Sequence, residues 1–524
     1  MNRRNLFKTV AATGIAMGLG KAAAKATIPE HNWEKYDWGP GPAVPDRLYQ
    51  GPFPQYGPGA VVPDSDVAMV TTPSKEIVSN YGMGMIVYVS DDTGPLHVPG
   101  QTMEQTLEDL IKLPFTQKIY LRPNWREVQK QPGRLDFPDW WKITFELARR
   151  YNKQVGFRVQ LENPDVAEPG MPEFLMDKVP YVKLKGEWNG NPAEMRYKKD
   201  NRVPRYDSPA YQAAFRELNQ LLAAELNGNP QVEFMDTMMY GFWGEGHTWP
   251  YEGNPFPSQL VAEQTWSSMF EVQLEQWTKV PLATNTQPDF SNVGNAELLD
   301  RTMRSANWLR TDTIFIENTQ IEALSNRPPW SAAICEVGFS TGDPKELRID
   351  EDGITYNEQI ISHVADVGVN YLSVWSWHNQ SARSITSYYE KYPEPIDRIA
   401  RQLGYRIRPS FVWTFRRDDV PGIVVGLKND GIASVPGVLR LTVFSEDKKV
   451  HVSGCIDAGY PKPTGIHQAM LMLPAGAKWE GLRLKAEIEV KGMRYPVRWA
   501  CRQKVNVDGS LTLRHNYRPD QPLV

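Results

Sequence analysis

Cysteine is scarce in this sequence, with only Cys335, Cys455 and Cys501 among 524 residues. At most one internal disulfide can form, so the fold cannot rest on a disulfide framework. Cys455 and Cys501 are the plausible pair, because Cys335 lies inside a strongly apolar run; free buried thiols are the alternative. Histidine is scarce too. The eight residues show no H-E-x-x-H and no His/Cys cluster, which argues against a zinc hydrolase. No G-x-G-x-x-G follows the first strand candidate and no P-loop occurs, so no cofactor is indicated. A net charge of −4 argues against a nucleic-acid partner. No apolar run reaches the roughly 20 residues a membrane span needs.

What is present begins with Asn2-Arg3-Arg4-Asn5-Leu6-Phe7-Lys8, a weakly apolar run from Thr9 to Gly20, and Ala24-Lys25-Ala26. This is the layout of a bacterial signal peptide and resembles the twin-arginine type, so residues 1–26 are expected to be removed on export to a periplasm or beyond. Residues 27–80 hold many Pro, Gly and Tyr without sustained periodicity and read as an irregular N-terminal arm. There are 17 Trp and 22 Tyr, many of them near the ends of predicted strands. Sugar rings stack their C–H faces on aromatic planes, so such residues suit a carbohydrate ligand, although Trp is also a core residue.

From Gly82 onward, short β-branched or aromatic runs alternate with amphipathic stretches. Strands are predicted at 82–90, 118–124, 154–161, 233–241, 281–286, 313–318, 332–336 and 370–377. Helices are predicted at 102–113, 138–152, 209–226, 257–279, 294–309 and 388–403, and Phe215, Leu218, Leu221, Leu222 and Leu226 mark one buried face. Eight strands alternating with helices over residues 81–404 predict an α/β fold, a closed (β/α)8 TIM barrel. An open doubly wound sheet is the structural alternative. After Gly404, short strand-like runs separated by turns such as Asn429-Asp430-Gly431 predict a C-terminal β-sandwich over residues 405–524.

In a barrel, reactive groups belong at the C-terminal ends of the strands. The fourth strand leads into Gly241-Phe242-Trp243-Gly244-Glu245-Gly246-His247, which sets a carboxyl between two glycines and beside indole and imidazole rings. Desolvation there favours the protonated carboxyl, so Glu245 is expected to donate a proton to a departing sugar oxygen. A surface ion pair is the plainer reading. The seventh strand ends at Glu336, where an unpaired buried charge is costly. Arg122, in Tyr120-Leu-Arg-Pro-Asn124-Trp125, is its expected partner, and an ionised Glu336 is equipped to act as nucleophile. A purely structural Glu–Arg pair is the alternative. Glu317, at the expected end of strand six, rivals Glu336 as second carboxylate, but strand order favours Glu336.

Two carboxyls of opposite acidity across a sugar-sized gap are the equipment for glycosidic bond cleavage. The order of elements, with one glutamate after strand four and one ending strand seven, resembles the clan of retaining barrel glycosidases that includes the family 42 β-galactosidases and the cellulase-like enzymes. Tyr120-Leu-Arg-Pro-Asn-Trp125, followed by Gln131-Pro-Gly-Arg-Leu-Asp-Phe137 and Trp140, is similar to the clan segment where a second-strand arginine precedes a turn. Residues 233–247 and Leu403-Gly404-Tyr405-Arg406 look like bacterial barrel proteins with a Trp-Gly-Glu-x-His motif. The resemblance covers most of residues 82–450 and implies Glu245 as acid/base and Glu336 as nucleophile. One departure stands out: the clan places Asn before the acid/base, to bind the sugar 2-hydroxyl, and here that position is Gly244. The contact then falls to another residue, such as Asn124 or Asn285.

Further substrate contacts are expected from Arg122, Asn124, Trp125, Arg158, Trp243, His247, Asn285, Glu317, Asn318, Trp375, Trp377 and His378, with one of the two eighth-strand tryptophans as the floor of the sugar subsite. The long connection 162–208, carrying Trp188 and Tyr197, is expected to wall or cover the site. An exported retaining glycoside hydrolase acting on an oligo- or polysaccharide is the first reading. A noncatalytic carbohydrate-binding barrel is the second. A polysaccharide lyase would need a Tyr or Lys base near a uronate-neutralising group, and no such constellation is distinct.

Overall fold

The computed structural model describes residues 66–166, 168–185, 202–248, 251, 253–286, 295–311, 318–336, 356–373, 382–391, 393–417 and 419–514. The expected signal peptide, most of the N-terminal arm, Trp188, Tyr197, Glu317, Trp375, Trp377 and His378 lie outside them.

Eight parallel strands close into a barrel in chain order: Gly84–Tyr88, Lys118–Leu121, Gln154–Phe157, Val232–Asp236, Leu282–Asn285, Trp308–Thr311, Ala333–Cys335 and Tyr371–Ser373, with the eighth pairing the first. The chain is thus a (β/α)8 barrel followed by antiparallel sheets, and the open-sheet alternative falls away. Helices form where the apolar period is 3.6. Thr102 caps the helix Met103–Ile111 through a capping box with Gln105. The helix Pro209–Leu226 begins with proline, whose fixed φ suits a first turn, and buries Phe215, Leu218, Leu222 and Leu226.

Strand six corrects the sequence reading. It was expected at 313–318 after a helix running to Leu309, but the helix is Asn295–Arg304, Ala306 turns the chain at φ 54°, and the strand is Trp308–Thr311. Asn318 begins a helix, Asn318–Ser325, rather than ending a strand.

Alternation along the strands decides what fills the barrel. Outward residues such as Val87, Ile119, Val155, Leu309 and Leu372 pack in the layers under the helices, whereas Tyr88, Tyr120, Phe234, Trp308 and Tyr371 belong to a different cluster inside. The interior is aromatic: the Phe234 ring centre lies 5.5 Å from Tyr371 and 6.3 Å from Trp308. Gly156 makes room for Phe234, since a Cβ there would come within 2.2 Å of the ring. Two residues further along, the same inward rows carry Arg158, Asp236, Arg310 and Glu336 at the C-terminal mouth.

The C-terminal region stacks two antiparallel sheets on one apolar core. The first joins Asp66–Val70, Ile407–Arg417, Val420–Asn429 and Ile466–Met472; the second joins His451–Ile456, Val438–Ser445, Leu482–Val490 and Met493–Pro496, with Leu511–Thr512 beside Leu482–Val490. Asp66–Val70, from the stretch read as an irregular arm, adds an edge strand because Val67, Ala68, Met69 and Val70 are all buried. All three cysteines are free, with Cys335 and Cys501 buried and Cys455 exposed, so the pairing of Cys455 with Cys501 is absent. Among the described residues no helix is long and apolar enough to cross a membrane.

Candidate active site

The segment after strand four folds back on itself before it presents Glu245. Phe242 N donates to His247 O at 2.8 Å, Glu245 N to Phe242 O at 3.0 Å, and Gly246 N to Tyr240 O at 3.0 Å. Gly241 has φ +79°, and a Cβ there would meet His247 O at 1.9 Å; Gly244 has φ +78°, and a Cβ there would meet Arg158 Cδ at 2.7 Å. Only glycine fits such positions without strain. The asparagine that the resembling clan carries before its acid/base therefore has no room here.

Glu245 stands at the end of a ladder of ion pairs. Its Oε1 lies 3.5 Å from Arg158 Nη1 and its Oε2 3.1 Å from His247 Nε2, with the carboxyl side chain 12% exposed. Arg158, on the extension of strand three, also donates to Trp243 O at 2.7 Å and reaches Asp236 Oδ2 at 3.3 Å. Asp236 closes strand four and receives Arg310 Nη1 at 3.0 Å and the Tyr120 hydroxyl. Arg310, on strand six, then pairs through Nη2 with Glu336 Oε2. Tyr88 donates to the same oxygen at 2.8 Å while accepting from Arg310 at 2.6 Å. Burial, above all, keeps the Tyr88 and Tyr120 phenols well above their usual acidity range, so both remain donors.

Arg122 was expected to be the partner of Glu336. Glu336 pairs with Arg310, while Arg122 Nη2 sits 2.6 Å from Asp92 Oδ1. Arg122 still belongs to the neighbourhood of Glu336. Burial works against its charge, but Asp92 first, then Glu336 and Tyr88, outweigh burial and hold the guanidinium protonated.

The other expected residues divide. Arg158, Trp243 and His247 surround Glu245, with Trp243 Nε1 donating to Asp165 Oδ2 at 2.8 Å. Asn285 is buried at the end of strand five, in register with Arg310. Asn124 is engaged elsewhere: it caps the short helix Trp125–Val128 and contacts Glu127 Oε2 through its backbone N at 2.7 Å and its Nδ2 at 3.2 Å. Trp125 is a core residue, wholly buried against Tyr211, and its indole donates to Gln129 at 2.8 Å. Of the connection 162–208, the described part includes a hairpin of Tyr181–Lys183 with Arg202–Pro204.

Sequence reading missed Tyr88, Asp92, Tyr120, Asp165, Asp236 and Arg310. Alternation along correctly bounded strands points Tyr88, Tyr120, Asp236 and Arg310 inward; Asp92 and Asp165 lie on loops and left no such signal. Among the described residues no group of three or more His, Cys, Asp or Glu side chains could hold a metal ion.

No family model and no curated protein matches the chain. Similar solved structures include an endo-glycoceramidase II from Rhodococcus sp. in its lactosyl-enzyme form, at 12% identity over 80% of this chain and 99% of that one with a TM-score of 0.36. A β-galactosidase from the psychrophilic Marinomonas ef1 is similar at 11% identity over 60% of each chain, with a TM-score of 0.38. Gan42B, a GH42 β-galactosidase, is similar at 13% identity over 64% of this chain and 58% of that one, with a TM-score of 0.40. The chain thus spans about three fifths of the two β-galactosidases.

Proposed function

We propose that this chain is a retaining glycoside hydrolase in which Glu336 attacks the anomeric carbon and Glu245 serves as acid and then base. The observation that carries the reading is the ladder Glu245–Arg158–Asp236–Arg310–Glu336, which ties two carboxyls from distant parts of the sequence to one mouth of the barrel. Two donors on Glu336 Oε2 fix the orientation of that carboxylate, as a nucleophile requires. Glu245 is the more exposed of the two, within reach of solvent water and of a leaving oxygen. In the first step a bond forms between Glu336 and the anomeric carbon while the glycosidic oxygen leaves with the proton of Glu245. In the second, Glu245 takes a proton from water, and the resulting attack frees Glu336. His247 contacts Glu245 Oε2 and is placed to relay that proton. The geometry at Gly244 leaves the sugar 2-hydroxyl to another side chain, and Asn285 is the described asparagine at a neighbouring strand end.

The same geometry favours a second reading, a barrel that binds glycans without cleaving them. A panel of chromogenic glycosides on the wild type, Glu245→Gln and Glu336→Gln separates the two. Turnover by the wild type that Glu336→Gln loses and Glu245→Gln lowers, least for the best leaving groups, supports the hydrolase; no turnover with glycan binding intact in all three supports the binding protein. Export is likewise proposed, from the Arg3-Arg4 segment, and periplasmic fractionation of the full chain against an Arg3→Lys/Arg4→Lys variant tests it.

A further inference from the structure

Asp92 lies just beyond the first barrel strand, with its carboxyl 12% exposed, and is joined to both ends of the site. On one side its backbone O accepts from Asn163 Nδ2 at 2.7 Å, and Asn163 Oδ1 accepts from Asp165 N at 2.9 Å. Asp165 Oδ2 holds the Trp243 indole at 2.8 Å, and Trp243 O holds Arg158, the residue that faces Glu245. The loops after strands one, three and four are therefore tied in one line. On the other side, the Asp92 carboxyl holds Arg122, whose guanidinium lies 5.1 Å from the centre of the Tyr88 ring, and Tyr88 donates to Glu336. Arg122 is thus shared between a carboxylate at the rim and one at the floor of the mouth.

We propose that Asp92 is a positioning residue. As a carboxylate it draws the charge of Arg122 to the rim, and when it takes up a proton from solvent it leaves that charge to Tyr88 and Glu336. The groups that face it set the pH of the exchange. Burial above all pushes the Asp92 carboxyl up to about 7; Arg122 on strand two opposes the rise, and Asp165, Glu245 and neighbouring Asp91 add to it. Arg158 and His247, the partners of Glu245, stand behind that carboxyl and moderate its field. The proposal deepens the hydrolase reading, since Glu336 is the nucleophile there, but the exchange itself needs no substrate.

The test titrates the full chain by NMR, with 13C at aspartate carboxyl carbons and 15N in arginine side chains. Asp92→Asn assigns the Asp92 signal, and Asp92→Glu serves if the Asn variant does not fold. The expected midpoint is about 7, with the Arg122 guanidinium signal following it. In Glu245→Gln the midpoint falls, because a like charge is gone. A midpoint below about 5, a midpoint that Glu245→Gln leaves in place, or an Arg122 signal that ignores the titration overturns the proposal. If a glycoside is cleaved, kcat/KM falls through the Asp92 midpoint to a lower plateau, and Asp92→Asn removes that step while leaving the limb set by the proton on Glu245. An equal loss at every pH marks a merely structural role and overturns the proposal too. Titration as expected in a chain that cleaves nothing upholds Asp92 and sinks the hydrolase reading instead.

Discussion

At the N-terminal end of the barrel, Lys118 and Glu233 form one ion pair, their side chains 2% and 0% exposed, and Glu233 also accepts from Gly82 N at 2.8 Å and Tyr371 OH at 2.6 Å. At the C-terminal end, the carboxyls of Asp92, Asp165, Asp236, Glu245 and Glu336 gather around Arg122, Arg158 and Arg310, and two of them, Asp92 and Glu245, are 12% exposed. One cation against one carboxylate, sealed from water, stabilises a fold only weakly and performs no chemistry. Several carboxyls crowded about fewer guanidinia cost stability, and the fold tolerates such crowding where proton transfer and nucleophilic attack are the task. On the proposed reading one end is structural and the other reactive, and substitutions can be aimed at each.

The largest effect is expected at Glu336. Glu336→Gln should lower kcat by about 10⁶-fold, the scale on which a nucleophile's removal is felt, and should also cost about 3 kcal/mol because Arg310 loses a buried partner. Steady-state kinetics and urea unfolding read both. Glu245→Gln should lower kcat by about 10³-fold, least for substrates with good leaving groups, since only proton transfer is lost. Its unfolding midpoint should move less than that of Glu336→Gln, because Glu245 is the more exposed of the two and Arg158 keeps Asp236 as a partner.

Lys118→Met breaks the other end. It leaves Glu233 buried without its cation, so unfolding free energy should fall by about 3–5 kcal/mol, while kcat per folded molecule stays within about twofold. A large loss of kcat at unchanged stability would erase the distinction between the two ends. The smallest effect is on pH. Burial chiefly raises Asp92 from 3.8 to about 7 and Glu162 from 4.5 to about 8. The folded state therefore holds protons that the unfolded chain has released. The stability these groups contribute is full below the unfolded values and is lost as pH rises through 7 and 8. Urea midpoints should fall from about pH 4 to about pH 8, and Asp92→Asn should roughly halve the slope below pH 7, leaving the part due to Glu162.

Much of this arrangement could be read from the residues. The aromatic and β-branched runs located seven of the barrel strands, and the Gly-rich segment after strand four singled out Glu245. Strand six failed because Leu299, Met303 and Leu309 carry an apolar pattern that reads as one helix, and nothing in that pattern marks the turn at Ala306. That slip hid Arg310, the residue that joins the halves of the ladder. Arg122 was assigned to Glu336 by proximity of strand ends alone; its choice of Asp92 depends on a loop whose path no local pattern encodes. Trp125 illustrates the opposite error, since a tryptophan at a strand end reads equally as a sugar platform or as core, and burial decides for core.

The central claim is that Glu336 forms the covalent bond to sugar and Glu245 manages the proton. Incubating the protein with a panel of 2-deoxy-2-fluoro glycosyl fluorides and mapping the modified peptide by mass spectrometry tests it most directly. The account predicts one glycosyl adduct, on Glu336, that accumulates in the wild type and is absent from Glu336→Gln. An adduct on any other residue, or turnover of natural glycosides that persists in Glu336→Gln, would contradict it.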